Sequence, residues 1–204
     1  MSTSHPHPLD LATQLERIDE HTLRGASSEA YRNMVGPFGG LVSATFLRAV
    51  LKDPRRQGTP VALTVNFCAP VADAPFEIKR TLLRAGKITQ HWSLLYTQGD
   101  AVVASASLVC AVRRQTFGFA PAHPPEVPAA SELPAWSSTL PLKWLERFEF
   151  RFVSSVLDLR EQPAPEALSP RSVLWVQHAP ARSHDFLSLA ALSDVFFLRI
   201  FHVR

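Results

Sequence analysis

Residues 41–51, LVSATFLRAVL, constrain the fold of this chain more than any other stretch. The segment has the length of a helix, yet its apolar residues do not gather into a stripe. Leu41, Val42, Ala44, Phe46, Leu47, Ala49, Val50 and Leu51 run all round the cylinder, interrupted mainly by Ser43, Thr45 and Arg48. A helix without a broad polar face is buried on every side. The run Gly36-Pro37-Phe38-Gly39-Gly40 announces its start. Lys52 suits its negative pole, and Asp53-Pro54 stops it.

The segments C-terminal to this helix have to enclose it. Residues 61–67 alternate, with Val61, Leu63, Val65 and Phe67 on one face and Ala62, Thr64 and Asn66 on the other. Residues 76–84 begin with the same period, which breaks at Arg80. A turn through Ala85 and Gly86 leads into residues 88–98, where Trp92, Leu94 and Tyr96 share a face, and Gly99-Asp100 is a hairpin signal before residues 101–113. These connections are too short for parallel crossovers, so an antiparallel meander is predicted. Only a sheet that curls round the helix hides a helix apolar on every side, which predicts an α+β fold of the hot-dog kind.

Between residues 115 and 141 the composition shifts. Pro121, Pro124, Pro125, Pro128, Pro134 and Pro141 predict an exposed linker without regular structure. Beyond it Phe148, Phe150 and Phe152 alternate with Glu149 and Arg151 as a half-buried strand. Residues 173–177 read as another strand and residues 185–201 as a long apolar helix, with Ser183 as its N-cap and Asp185 in its first turn. Strand followed by helix repeats the organisation of the first half without repeating its residues. The expected division is a first hot-dog unit at 9–114, a linker at 115–141 and a partial second unit at 142–204. A matching second unit would need a further meander of about four strands.

A chain of 204 residues has room for two small cores, and 46% hydrophobic with 19% charged residues is the composition of a packed protein. The formal charge of +3 comes from scattered Lys and Arg with no aromatic platform or recognition-helix pattern, so no nucleic-acid partner is expected. Cys68 and Cys110 lie in apolar runs and are predicted to be buried free thiols of a reducing compartment. Residues 1–8 lack the order of a signal peptide, and the apolar stretch 186–201 contains Asp194 and Arg199 and is too short for a bilayer. A cytoplasmic location without membrane contact is the expectation. His5 and His7 lie in a tail where nothing completes a metal site, and His178, His184 and His202 do not have metal-ligand spacing. Neither metal nor cofactor is therefore expected. His184-Asp185 has no GxSxG elbow to make a hydrolase triad. The four tryptophans are expected as core or linker anchors.

A set of short motifs, taken in order, resembles the bacterial acyl-CoA thioesterases of the TesB-like group. They are Leu15-Glu16-Arg17-Ile18, Leu23-Arg24-Gly25, Phe38-Gly39-Gly40 opening a helix, residues 67–70, residues 81–87, Ala104-Ser105-Ala106, residues 173–176, His184 and Leu192-Ser193-Asp194. Their order over most of the chain carries the resemblance. It implies a double hot-dog fold whose second unit is incomplete. It also implies hydrolysis of fatty acyl-CoA or a related thioester, with acyl-CoA as small-molecule partner and a homo-oligomeric assembly. By this match the family's catalytic aspartate falls on Asp194, where it directs a water at the thioester carbonyl. The glutamine and hydroxyl residue that assist it come from later strands that this sequence does not supply, so a non-catalytic acyl-CoA-binding or hot-dog pairing protein is the alternative.

The chemistry suits the residues. Thioester hydrolysis needs a water-orienting carboxylate and donors for the developing oxyanion. An unpaired Asp194 among Ala190, Ala191, Leu192, Val195, Phe196 and Phe197 would tend to a raised pKa; alternatively it faces solvent or pairs with Arg182 or Arg199. Phe38, Gly39 and Gly40 also have two readings. Their backbone N–H groups at a helix N-terminus are placed to meet an acyl carbonyl or a coenzyme A phosphate. Equally, the glycines let the chain turn tightly into a central helix.

Overall fold

The structure, a computed structural model, describes residues 6–138, 140–154 and 171–196. In chain order the elements are α1 (Pro8–Ala12), β1 (Glu16–Arg17), β2 (Thr22–Gly25), α2 (Gly39–Leu51), β3 (Thr59–Phe67), β4 (Phe76–Ala85), β5 (Thr89–Gln98), β6 (Ala101–Ala111), β7 (Phe148–Ser154), β8 (Val173–His178) and α3 (Phe186–Leu192). Helix α2 is enclosed as its sequence requires. Its interior polar residues are accommodated locally: the hydroxyls of Ser43 and Thr45 donate to the carbonyls of Gly39 and Leu41, at 3.1 and 2.8 Å. Arg48 reaches out of the core to Asp10 and Thr13, pinning α1 against α2.

Six strands wrap this helix in the order β1-β2-β4-β5-β6-β3, and every pairing is antiparallel. The predicted meander holds from β4 to β6, where Gly99 takes φ +57° in the tight β5–β6 turn. It fails at β3, which pairs with β6 rather than with its neighbour in sequence. The connection after Phe67 crosses to the far side of the sheet. The amides of Cys68 and Ala69 bond to the Val103 carbonyl, and the Gln98 side chain bonds to the backbone of Ala72 and Ala74. Cys68 thus lies beyond the strand and is exposed, correcting the expectation of a buried thiol, whereas Cys110 is buried. Strands β1 and β2 are too short and too polar to show a period.

Arg80 corrects a second expectation. The alternation of β4 continues through it, with Phe76, Ile78 and Arg80 all buried on the concave face. Its guanidinium meets the buried Asp53 carboxylate at 2.9 Å and donates to the Ala49 carbonyl at 2.5 Å, closing the C-terminal end of α2. The real irregularity is a bulge between Leu82 and Arg84.

In the second half, β7 and β8 form a two-stranded antiparallel sheet that buries Phe148, Phe150 and Phe152. The segment before it carries 3₁₀ turns at Ala130–Glu132 and at Lys143–Arg147, the second leading directly into β7. It is held down by Trp136, whose amide bonds to the Phe150 carbonyl, and by Trp175, whose indole N–H donates to Pro128. Helix α3 is shorter than predicted and ends at Leu192. Asp185 rather than Ser183 is its N-cap, accepting from the Ser188 amide at 2.8 Å. A carboxylate one turn from that amide outcompetes a serine two positions further back. Residues 193–196 of the predicted helix form a turn and bend instead, and residues 197–201, with Arg199, lie outside the described residues, as does His202.

Candidate functional site

Two elements far apart in sequence make the site. Helix α2 begins with Gly39 and Gly40, and its N-cap residue Phe38 offers no side-chain acceptor to the first amides. Its ring turns inward instead, stacked on Trp144 at 4.4 Å and edge-on to Phe148 at 5.8 Å. The backbone of Phe38 is also engaged: its amide donates to Tyr31, and its carbonyl accepts from Leu41 and Val42. Phe38 therefore locks the entry into α2 from the core side.

The C-terminal end of α3 packs across the start of α2. The contact is so close that a Cβ on Gly40 would collide with the Ala191 carbonyl oxygen and with the Phe38 ring. Neither glycine has positive φ, so their role is close approach rather than an unusual backbone angle. This approach delivers Asp194, in the turn just past α3, to the start of α2. A Cβ on Gly39 would lie 2.5 Å from Asp194 Oδ2 and 3.2 Å from the tip of the Phe67 ring.

Three residues singled out from the sequence, Gly39, Gly40 and Asp194, are thus brought together, with Phe38 directly behind them. The crowding partly desolvates the Asp194 carboxyl and raises its pKa above the ordinary 3.8, against the opposing pull of a hydrogen bond from the Gly40 backbone. Arg182, offered as a partner for Asp194, is engaged elsewhere: it bridges Asp10 and Asp185 at 2.9 Å each. Asp194 opens on a groove of about 440 Å³ between β3 and the two helices, lined by Ser43, Leu47, Val65, Phe67, Leu189 and Ser193 among others. A second cavity, of about 450 Å³, adjoins the groove: Phe67 lines both, and Gly39 lines the second.

Sequence reasoning missed Phe67 as a site residue and a buried polar knot beside α3. His178 Nε2 lies 2.8 Å from the Ser188 hydroxyl, and His184 Nδ1 lies 3.3 Å from the same oxygen. Burial, with the nearby positive groups of His7, Arg182 and His184, lowers the His178 pKa to about 4. No periodicity marks such a knot, because its members belong to β8, a loop and α3.

The fold and site together define a hot-dog protein, in which an antiparallel sheet curls round a central helix and a second helix meets that helix at its N-terminus. Residues 29–111 match the family model for the acyl-CoA thioesterase N-terminal domain. A conserved hot-dog protein of unknown function from Alicyclobacillus acidocaldarius is 36% identical, with 97% of this chain and 72% of that one covered and a TM-score of 0.88. The tesB protein of Mycobacterium avium subs paratuberculosis (20% identity, 92% and 68% covered, TM-score 0.70) shares the fold. So does the acyl-CoA thioesterase II TesB2 of Mycobacterium marinum (21%, 92% and 68%, TM-score 0.67). Among curated proteins none matches at a significant level. The chain is a hot-dog protein related to the Alicyclobacillus acidocaldarius one, and over residues 29–111 it is similar to the acyl-CoA thioesterase N-terminal domain family. Among the described residues no helix is long and apolar enough to cross a membrane.

Proposed function

We propose that this chain hydrolyses fatty acyl-CoA or a related thioester, with Asp194 directing a water at the carbonyl carbon. The observation that carries this reading is the meeting of the Asp194 carboxylate with the glycine N-terminus of α2. A carboxylate with a raised pKa is a better proton acceptor than an ordinary one, and the groove leaves it open to water. In the proposed step the water oxygen bonds to the carbonyl carbon as its proton passes to Asp194. The C–S bond then breaks, and the coenzyme A sulfur leaves with that proton. The Gly39 amide, at the first helical position and therefore without an intrahelical acceptor, faces the developing oxyanion. Phe38 acts behind the glycines as a positioning residue.

Asp194 also does what an N-cap does for α2, and a purely structural aspartate would satisfy the same geometry. Release of free thiol from a medium-chain acyl-CoA separates the two roles. The wild-type chain is expected to turn over and Asp194→Asn, which keeps a capping oxygen, is expected not to. Equal turnover by both would remove Asp194 from the chemistry. Saturable binding of the thioester with no turnover by the wild type would favour a non-catalytic binding protein.

A further inference from the structure

Helix α3 is fastened to α2 at both ends. The Gly40–Ala191 contact holds its C-terminal end, where Asp194 follows. Its N-terminal end is held by the segment at residues 7–13, through a single carboxylate. Arg48 from the last turn of α2 and Arg182 from the loop before α3 both donate to the same oxygen of Asp10, at 2.8 and 2.9 Å. A further bond of 2.9 Å carries Arg182 on to Asp185, the N-cap of α3. An unbroken row of charges, Arg48, Asp10, Arg182 and Asp185, therefore joins the two helices. His7 seats the segment beside this row. Its Nδ1 accepts from the Leu9 amide at 3.1 Å, which leaves its Nε2–H to donate to the Pro180 carbonyl of the same loop at 3.0 Å, and Leu9 is fully buried.

We propose that Asp10 is a positioning residue for the reaction at Asp194: it draws the start of α3 onto α2 and so sets where the Asp194 carboxylate stands against Gly39. The proposal rests on the thioester reading of Asp194. Asp10 does not line the groove, so it acts through α3 and not on the substrate. The physical reason is the sign of the charges. The side chains of Arg48 and Arg182 are only 17% and 12% exposed, so water screens them poorly. With the Asp10 carboxylate between them they are drawn to one point; without its charge two guanidinium groups confront each other and push the helices apart. Asp185 offsets Arg182 alone and is half-exposed. Helix α3 spans only about 10 Å, too short to absorb a tilt, so a displacement of its first turn passes to Asp194 at its far end. A misplacement of about 1 Å is enough to cost up to about a hundredfold in rate.

The test compares Asp10→Asn and Arg182→Met with the wild type and with Arg80→Ala, which weakens the fold without touching the row. Thiol release from a medium-chain acyl-CoA is measured at a temperature where all four proteins are folded. Each variant of the row is expected to lose about ten- to a hundredfold in kcat, with KM within about twofold of the wild type. The double variant is expected to lose no more than the worse of the two, because both break one linkage. Arg80→Ala is expected to keep the wild-type kcat. Native-state hydrogen exchange gives a readout independent of turnover: the α3 amides are expected to exchange faster in Asp10→Asn, while those of β6 keep the wild-type rate. Wild-type kcat in Asp10→Asn, an equal loss in Arg80→Ala, or unchanged exchange in α3 would overturn the positioning role alone. No thiol release by the wild-type chain would overturn the thioester reading and the role with it.

Discussion

Asp194 combines a chemical role with a capping role, and stability measurements tell them apart. Its folded-state pKa is raised, so ionisation above that pKa works against folding. Asp194→Asn is neutral and still offers an acceptor to the Gly40 amide, so its melting temperature at pH 7 is expected to equal or exceed that of the wild type. Asp194→Ala loses the acceptor and is expected to cost about 1 kcal/mol. The two glycines are separable in the same way. A methyl on Gly39 meets the movable end of Asp194 and displaces the carboxylate, so Gly39→Ala should lower turnover with little loss of stability. A methyl on Gly40 meets the backbone of Ala191, so Gly40→Ala should cost about 1–3 kcal/mol in a denaturant titration. The sequence made Asp194 and the glycine pair visible as residue types, but it could not show that they meet. Their meeting depends on backbone-to-backbone contact between Gly40 and Ala191, which leaves no trace in periodicity. His178 was invisible for a related reason. Its lowered pKa means that the unfolded chain takes up a proton at pH values where the folded chain does not. Stability is therefore expected to fall by up to about 3 kcal/mol as pH drops from about 6.5 to about 4, and His178→Gln should flatten that slope in pH-dependent unfolding.

At the scale of elements, strong patterns were legible and weak ones were not. The all-round apolar character of α2 and the alternation of β4 to β6 survive in the structure because burial on one face dictates every second residue, whereas in β3 Val61 and Phe67 of the predicted face are exposed. The short, polar β1 and β2 contribute through backbone pairing with β4, and no side-chain period records that. Arg80 looked like the end of an alternation because a charge on a buried face contradicts the rule, and the contradiction is resolved by Asp53. Desolvation works to raise the Asp53 pKa, but hydrogen bonds from Arg55 and the Arg80 charge hold it below the ordinary range. Removing Arg80 leaves that carboxylate to Arg55 alone and takes a donor from the Ala49 carbonyl at the end of α2. Because Arg55 stays on Asp53, Arg80→Ala is expected to cost about 1–3 kcal/mol in equilibrium unfolding, still more than an exposed arginine such as Arg24.

The whole molecule is organised around one continuous apolar core that runs from α2 and the large sheet through Phe38, Trp144 and Phe148 into the small sheet and α3. That continuity explains why a residue near the end of the described chain can complete a site that begins at Gly39: the aromatic stack fixes α3 against α2, and Asp194 comes with it. The prediction of a hot-dog arrangement succeeded because it rested on enclosure, a property of the whole fold. The meander failed only at β3, because strand order there depends on where the connection after Phe67 crosses, and a sequence marks a turn without marking its direction. The most direct test of the account is the pH dependence of kcat/KM for acyl-CoA hydrolysis. Activity is predicted to rise with pH as a group titrates above the usual carboxylate value of 3.8, and Asp194→Asn is predicted to remove that activity. An Asp194→Asn variant with the wild-type profile would contradict it.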